Sequence, residues 1–413
     1  MQGSREGEVN KSLTIIGGFY RESCRFPRTD EFFGSGGRAA AALGALGLDV
    51  HLHTVTDSNN ELILAGLAQT FQFQFGSTKI GQGLRFVYDH PLATPAIQPE
   101  TAIREIAQLS IDAETTLQFG MLDASVSVNS KTLIYDPQNP LAPEPCKLPE
   151  DSTTQLAYVL NGREAKAITG SETSIDAAWR LCNDFGARAV AIKEGADGAL
   201  ILEQGVETRI PAYRTDSVWP IGSGDVFAAV FAALWGVEGK SAAESGAGAS
   251  RAAAFYVGSR TLPVPQNVIQ EGIDLEPLLR QSAPLRGDEY HVYLAGPFFT
   301  MAQLWLVEET KFALQNMGLR VFSPFHEIGI GKAKDVAPKD IAALRQSRVV
   351  LAIIDGLDAG TVYEVGFARA LNKAVIVFAE CTNEEPLKMM TGTDCEIVRD
   401  FSSAIYRTVW ASR

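Results

Sequence analysis

Two short runs in this sequence put acids where they can do bond chemistry. The first is Asp355-Gly-Leu-Asp358-Ala-Gly360-Thr361-Val-Tyr-Glu364-Val-Gly366-Phe-Ala368, in which an apolar strand leads straight into a loop with two carboxylates and a glycine. A helical stretch follows, with Glu364 in its first turns. Paired carboxylates at a strand end suit chemistry at an anomeric carbon: one attacks or stabilises an oxocarbenium-like centre while another handles the leaving group's proton. The same run also reads as an acidic loop capping a helix, with Asp358 favoured at the positive end of the dipole. Asp355, at the strand end, either holds a sugar hydroxyl or only forms the turn. The second run is Pro220-Ile-Gly222-Ser223-Gly224-Asp225-Val-Phe-Ala-Ala, a small-residue turn that opens an apolar helix. Backbone N–H groups at such a helix start form an anion hole, and Asp225 stands where it can take a proton from an attacking hydroxyl, as phosphoryl transfer requires. A helix start with a capping Asp is the competing reading.

Both runs need a sheet behind them. From Leu13 to about Val257 the sequence alternates β-rich runs (Leu13 to Ile16, Thr132 to Tyr135, Ala189 to Ile192, Ala199 to Leu202) with Ala-rich helical stretches (Arg38 to Leu46, Ile175 to Phe185). This is the rhythm of a parallel α/β sheet. Pro263, Pro265, Pro277 and Pro284 then punctuate a stretch that reads as a partly helical linker. A second α/β rhythm follows: strands at His291 to Ala295, Leu319 to Phe322, Val349 to Ile354 and Ala374 to Phe378, with helices at Met301 to Met317, Pro338 to Ser347 and Thr361 to Leu371. The expected division is 12–257, a linker over 258–289, and 290–413. In open α/β sheets ligands bind beyond the carboxyl ends of the strands, so the acids after Val349 to Ile354 face the usual crevice.

The chain has 413 residues, 46% hydrophobic and 21% charged, which excludes disordered and fibrous classes and predicts more than one domain. Its formal charge of -13 disfavours nucleic acid and anionic membranes as partners. Cys24, Cys146, Cys182, Cys381 and Cys395 are scattered, with no C-x-x-C pair, and read as reduced thiols of a cytoplasmic protein. Met1 to Lys11 is polar and carries no secretory signal. The longest apolar stretch, Val226 to Val237, is shorter than the roughly 20 residues of a membrane span and reads as a buried helix. No metal site is assigned.

The segment from Tyr293 to about Val409 resembles the nucleoside 2-deoxyribosyltransferase family and its N-glycosidase relatives. The matching residues are Tyr293-Leu-Ala-Gly296-Pro297-Phe298-Phe299, Ser323-Pro324, Asp340, and the D-x-G-T-x-x-E-x-G-x-A run ending at Ala368. The resemblance implies Glu364 as the nucleophile at C1′, Asp358 and Asp340 orienting and protonating the departing base, and Tyr293 placing the nucleophile. Gly296 and Gly360 would let backbone approach substrate, Phe299 or Phe298 would either pack on the nucleobase or serve as plain core, and Asp355 would contact the sugar. Where the transferases carry Asn-Met, this chain has Lys388-Met389, and a lysine there would meet a phosphate and favour nucleotides. His326 either touches substrate or serves as a surface or capping residue.

Residues 13 to 257 resemble the ribokinase-like (PfkB) carbohydrate and nucleoside kinases: the Gly222-Ser223-Gly224-Asp225 turn, Gly36-Gly37-Arg-Ala-Ala, Asp136-Pro137, Asn161-Gly-Arg-Glu164, and Lys193-Glu-Gly195-Ala-Asp-Gly198. The resemblance implies Asp225 as the base, Gly222, Ser223 and Gly224 as the anion hole, and Asn161 and Glu164 arranging magnesium and the phosphates of ATP. The family usually has Asp-Thr where Trp219-Pro220 stand, threonine at Lys193, and Asn at Arg38 and Ala41. A reduced lid is expected from the short stretch between Cys24 and Phe33. The implied architecture is α/β: a ribokinase-like doubly wound domain followed by a smaller Rossmann-like (flavodoxin-like) parallel domain. The expected function is a fusion protein of nucleoside or nucleotide metabolism. Its second half would cleave or exchange an N-glycosidic bond without a cofactor. Its first half would phosphorylate a sugar or nucleoside with ATP and Mg2+, or bind without turnover. The alternatives are a nucleoside monophosphate N-glycosidase and a nucleotide-binding regulatory module. A homo-oligomer is implied by resemblance to both families.

Overall fold

The computed structural model describes residues 11–139, 142–148, 152–278 and 284–413. The leader reading at residues 1–10 and linker residues 279–283 lie outside them. The described chain gathers into two compact units, one of residues 11–215 with Trp219–Leu278, the other of Asp216–Val218 with residues 284–413.

The first unit is built on a nine-stranded sheet in the order Val206–Ile210, Ala199–Glu203, Ala189–Lys193, Gln155–Asn161, Ala124–Asp136, Ala107–Phe119, Ser12–Ile16, Asp49–Thr56, Gln74–Lys79. All neighbours are parallel except the two pairs that involve Ala199–Glu203. Alternation along the strands wraps both faces. Ala157 and Val159 pack among residues of helices Gly34–Ala42, Ser223–Phe231 and Ala242–Ser259. Leu156, Tyr158 and Leu160 pack against Gly162–Thr169 and Ser174–Asn183. Side chains of period two on a sheet covered on both sides give the doubly wound arrangement.

Two features of this unit differ from expectation. Strands Ala107–Phe119 and Ala124–Asp136 have 13 residues each and pair in parallel, Ala107 beside Ala124 and Phe119 beside Asp136. A straight strand of that length spans roughly 40 Å, whereas the connection from 119 to 124 reaches about 18 Å. Both strands must therefore double back, and the register breaks at Glu114 and Lys131. Their first halves form a second layer, with Leu109, Val126 and Val128 packed near Ile16, Val55 and Ile80. The expected reduced lid is instead a separate four-stranded sheet, Thr29–Phe32, Arg21–Cys24, Arg85–Tyr88, Ala96–Gln98. Half of it comes from a segment some distance along the chain, so the stretch before Phe33 alone understated it.

The expected linker is also partly structured. Gly258 and Ser259 end the helix Ala242–Ser259, Pro265 is the N-cap of Gln266–Glu271 rather than a breaker, and Glu276–Leu278 pairs antiparallel with Ala212–Arg214. Val226 to Val237 is buried and helical through Leu234 and Trp235, as α-helix to Phe231 and π-helix over Ala232–Val237.

The second unit is an all-parallel five-stranded sheet ordered Val321–Phe322, Tyr290–Ala295, Ser347–Ile353, Ala374–Phe378, Glu396–Val398. Numbered along the chain this is 2-1-3-4-5, the flavodoxin-like order. Helix Ala333–Gln346 begins five residues before Pro338; the proline sits inside it rather than at its first position, where its fixed φ made it expected. No helix among the described residues is long and apolar enough to cross a membrane, and the five cysteines are free.

Candidate active sites

In the second unit, Tyr293 and Ala295 leave strand Tyr290–Ala295 on the face where Ala343 and Leu344 of one helix and Val365 and Ala368 of another complete the core. Tyr293 is fully buried and stacks on Phe322 with ring centroids 5.5 Å apart. An aromatic of this depth needs a partner for its hydroxyl. The phenol donates to Glu364 Oε1 at 2.6 Å. Glu364 lies in the second turn of helix Ala359–Ala370. Burial pushes its carboxyl up to about 7; the Tyr293 hydrogen bond opposes that rise, and the charges of Asp340 and Asp358 add to it. Burial likewise raises Asp340, whose Oδ1 is buried without a hydrogen-bond partner. The structure thus brings Tyr293, Glu364, Asp340 and Asp358 into one electrostatic group.

Asp358 has a local task as well. It is the N-cap of helix Ala359–Ala370, its Oδ2 accepting from Thr361 N at 2.8 Å and Thr361 Oγ1 at 3.0 Å. A Cβ on Gly360 would stand 3.1 Å from that oxygen, so a glycine keeps the cap uncrowded. Thr361 was not singled out from the sequence, although Asp followed three residues later by Thr at a helix start signals this cap.

Three expectations meet different surroundings. Asp355 does not present its carboxylate to a sugar: Oδ1 accepts from Cys381 N, Thr382 N and Thr382 Oγ1, and Oδ2 from Glu380 N. It ties two strand-end loops together, and its acceptors are spent. Gly296 has its missing Cβ directed at Ile353 and Val307, 3.2 and 3.4 Å away, so strand and helix packing explain it, not a ligand. Lys388 is exposed and pairs with Glu385 at 2.5 Å on its own helix, a solvated contact in place of the expected phosphate. Phe299 is solvent-exposed, its ring 5.0 Å from Phe298, and Phe298 lies 5.2 Å from Phe325. His326 Nδ1 lies 3.0 Å from Ser323 Oγ, and its Nε2 is 3.0 Å from Glu308 Oε2.

In the first unit, Gly222 is the N-cap of helix Ser223–Phe231 with φ 81, a left-handed conformation that favours glycine, and no side chain caps the helix. Ser223 turns inward: its N–H and its hydroxyl both donate to Pro220 O. Asp225 is buried with both oxygens engaged, Oδ2 by Arg38 Nη1 at 2.8 Å and Oδ1 by Gln138 Nε2 at 2.5 Å. Arg38 is fully buried, donates also to Glu22, and lies against the turn: a Cβ on Gly222 would fall 2.2 Å from its Nε. Lys193 Nζ is 2.5 Å from the buried Asp136 and would stand 3.3 Å from a Cβ on Gly224. Burial raises the Asp136 carboxyl to about 7, and the Lys193 ammonium opposes that rise.

Asn161 and Glu164 form a capping box. Asn161 Oδ1 accepts from Arg163 N and Glu164 N, and Glu164 Oε2 accepts from Asn161 N. These contacts serve the helix start, and no magnesium position is assigned to them. The Asn161 carbonyl is spent on the helix, and the Lys193 ammonium is already held by the charges of Asp136, Glu164 and Asp225. Gln138 was missed by sequence reading. Its φ of 39 sets it apart as a residue held in an unusual turn, a signal visible only in three dimensions.

Residues 292–397 match the family model described as nucleoside 2-deoxyribosyltransferase, and residues 124–265 match that of the pfkB family carbohydrate kinases. One chain thus carries segments that match the models of two enzyme families. Among solved structures, the chain is similar to an archaeal nucleoside kinase of the ribokinase family from Methanocaldococcus jannaschii, at 14% identity over 63% of this chain and 97% of that one, with a TM-score of 0.47. It is also similar to aminoimidazole riboside kinase from Salmonella enterica, at 15% identity over 62% and 98%, TM-score 0.47. A third is ribokinase from Thermotoga maritima, at 16% identity over 62% and 97%, TM-score 0.43. No curated protein matches the chain.

Proposed function

We propose that residues 290–413 cleave or exchange the N-glycosidic bond of a nucleoside or nucleotide through a covalent glycosyl intermediate on Glu364. The observation that carries this reading is the 2.6 Å hydrogen bond from the buried Tyr293 phenol to a carboxylate whose pKa lies near neutrality. The donor favours the charged form without cancelling it, so near pH 7 a substantial share of Glu364 is an anion positioned as a nucleophile. The carboxylate oxygen attacks C1′ as the C1′–N bond breaks, and the bonding pair leaves on the base. Asp340, whose proton affinity burial raises, serves as the acid toward the departing nitrogen. A second base, or water, then attacks C1′, Glu364 leaves, and Asp340 recovers a proton. Asp358 holds the helix start and adds negative charge near the positive centre. The exposed Phe299 and its half-buried neighbour Phe298 offer a face for the nucleobase.

Base release from a panel of nucleosides and their 5′-monophosphates, with and without an added free base, tests this. Transfer to the added base supports the transferase reading, and release in water alone supports the glycosidase. Base release that survives unchanged in Glu364→Ala would sink both.

For residues 12–257 two readings stand: a kinase using ATP with a sugar or nucleoside, and a kinase-derived domain without turnover. The engagement of both Asp225 oxygens by Arg38 and Gln138 favours the second, because a base already paired to a buried cation is a poor proton acceptor. ADP formation by the full chain that disappears in Asp225→Asn would establish the first. Self-association belongs to the same proposal: Met301, Trp305 and Phe312 stand exposed along one stripe of helix Met301–Asn316. Sedimentation of the full chain measures it.

A further inference from the structure

We infer that Arg38 is an internal latch that ties the lid sheet to the Gly222–Asp225 turn and fills the space between that turn's backbone and Asp225. The inference rests on the reading of residues 12–257 as kinase-derived. Three elements meet at this side chain. Glu22 comes from strand Arg21–Cys24 of the four-stranded sheet, Arg38 from helix Gly34–Ala42, and Asp225 from the first turn of helix Ser223–Phe231. The guanidinium donates to both carboxylates, and all three residues are buried. Its flanks are aromatic, with Phe33 and Tyr256 ring centroids 5.4 and 5.9 Å from its central carbon.

The position of the arginine decides its effect. Its Cδ, Nε and Cζ all lie within 2.4 Å of where a Cβ on Gly222 would be, so the side chain rests on the turn whose N–H groups would face an anion. From there Nη1 reaches Asp225. A substrate hydroxyl aimed at Asp225 from the turn meets the guanidinium first. Because the other carboxylate of the triad is on the lid sheet, the contact that blocks the base also holds the sheet down.

A second tether supports this. Arg260 donates to Glu31 of the lid strand Thr29–Phe32 and lies 4.1 Å over the ring of Trp219, which directly precedes the turn. Arg38 and Arg260 are thus both cations that bridge an acid of the lid sheet to the turn or the residues just before it. Opening the site requires the buried guanidinium to leave two carboxylates together, a step unfavourable enough to keep the closed form dominant without a ligand.

The test is amide hydrogen exchange on the full chain, comparing the wild type with Arg38→Asn/Glu22→Gln/Asp225→Asn, a set that removes the latch without stranding either carboxylate as a buried unpaired charge. Exchange in Arg21–Cys24, Thr29–Phe32, Arg85–Tyr88 and Ala96–Gln98 is expected to quicken at least tenfold, with Gln155–Asn161 and Ala189–Lys193 unchanged. Exchange in the lid strands within twofold of wild type overturns the latch. So does an equal rise in lid and core strands, which would make the triad a general support of the fold. Glu364-dependent base release in the same preparation reports on the second unit, and Asp225-dependent ADP formation by the wild type refutes the non-catalytic reading. Neither depends on the exchange result.

Discussion

Replacing Tyr293 with Phe removes one hydroxyl and leaves the buried ring and its stacking on Phe322 in place. What is lost is the 2.6 Å hydrogen bond to Glu364, which holds that carboxyl below where burial alone would put it. A hydrogen bond to a charged group contributes roughly 1.5–3 kcal/mol, and one pKa unit corresponds to about 1.4 kcal/mol. The Glu364 pKa of about 7 is therefore expected to rise by roughly one to two units. At pH 7 the ionised share would fall from near one half to between roughly a tenth and a hundredth. The assay is the single-turnover rate of base release as a function of pH. At pH 7 the variant should be slower by roughly 5- to 50-fold, with its acidic limb displaced upward by one to two units. A variant profile that superimposes on the wild type would refute the argument, because the phenol would then have no hold on the ionisation of the nucleophile. A uniform loss at every pH would also refute it, by assigning Tyr293 to some task other than charge.

Three further outcomes follow from the geometry. The Glu364 carboxyl has a folded pKa raised from 4.5 to about 7, so the native state holds the proton more tightly and stability falls as pH rises through that interval. Glu364→Gln should equal the wild type in thermal stability near pH 4 and exceed it at pH 8 by at most about 3 kcal/mol; equal melting temperatures at pH 8 would contradict the shift. Asp355→Ala removes the acceptor of three backbone N–H groups at residues 380–382, two of them open to water, and should destabilise the second unit by roughly 1–2 kcal/mol, read as a lower melting temperature. Gly222→Ala forces a side chain onto a φ of 81 and into Arg38, costing about 1–3 kcal/mol in the wild type. Combined with Arg38→Asn the cost should be less than additive, as denaturant titration of the four proteins would show.

The parts of this fold legible in the sequence are those set by local periodicity. Ala374–Phe378 is a fully apolar run that can only be a covered strand, and Thr361 to Leu371 follows a capping Asp, so strand, loop and helix around Glu364 fall where pattern and punctuation put them. Non-local pairing is harder to read. The lid sheet joins Arg21–Cys24 to Arg85–Tyr88, and no local pattern states that partnership. The doubling of Ala107–Phe119 is likewise a consequence of register, evident only once its pairing with Ala124–Asp136 is known. Within the sites, the hidden variable was the backbone. Asp355 looks like a free acid in a sequence because the N–H groups of residues 380–382 that occupy it have no letter of their own. Arg38 reads as the loss of a small polar residue, whereas in space it is the gain of a buried ion triad.

The two acidic sites differ in the kind of partner that holds them, and that difference bears on what each can do. A phenol is a neutral donor. It lowers the cost of ionising Glu364 yet leaves the full negative charge available to an electrophilic carbon. A guanidinium is a fixed cation that offsets the charge of Asp225 and, on the inference above, lies between that acid and the turn, and Lys193 is paired with Asp136 in the same charged manner. Breaking such a buried pair by moving one member costs about 3–5 kcal/mol, so a ligand must supply at least that much differential affinity to open the first unit. Glu364 needs no such event: its partner can remain in place while the carboxylate reacts. On the proposed reading, Glu364 could react with its partner in place, whereas Asp225 could act as a base only after Arg38 had moved.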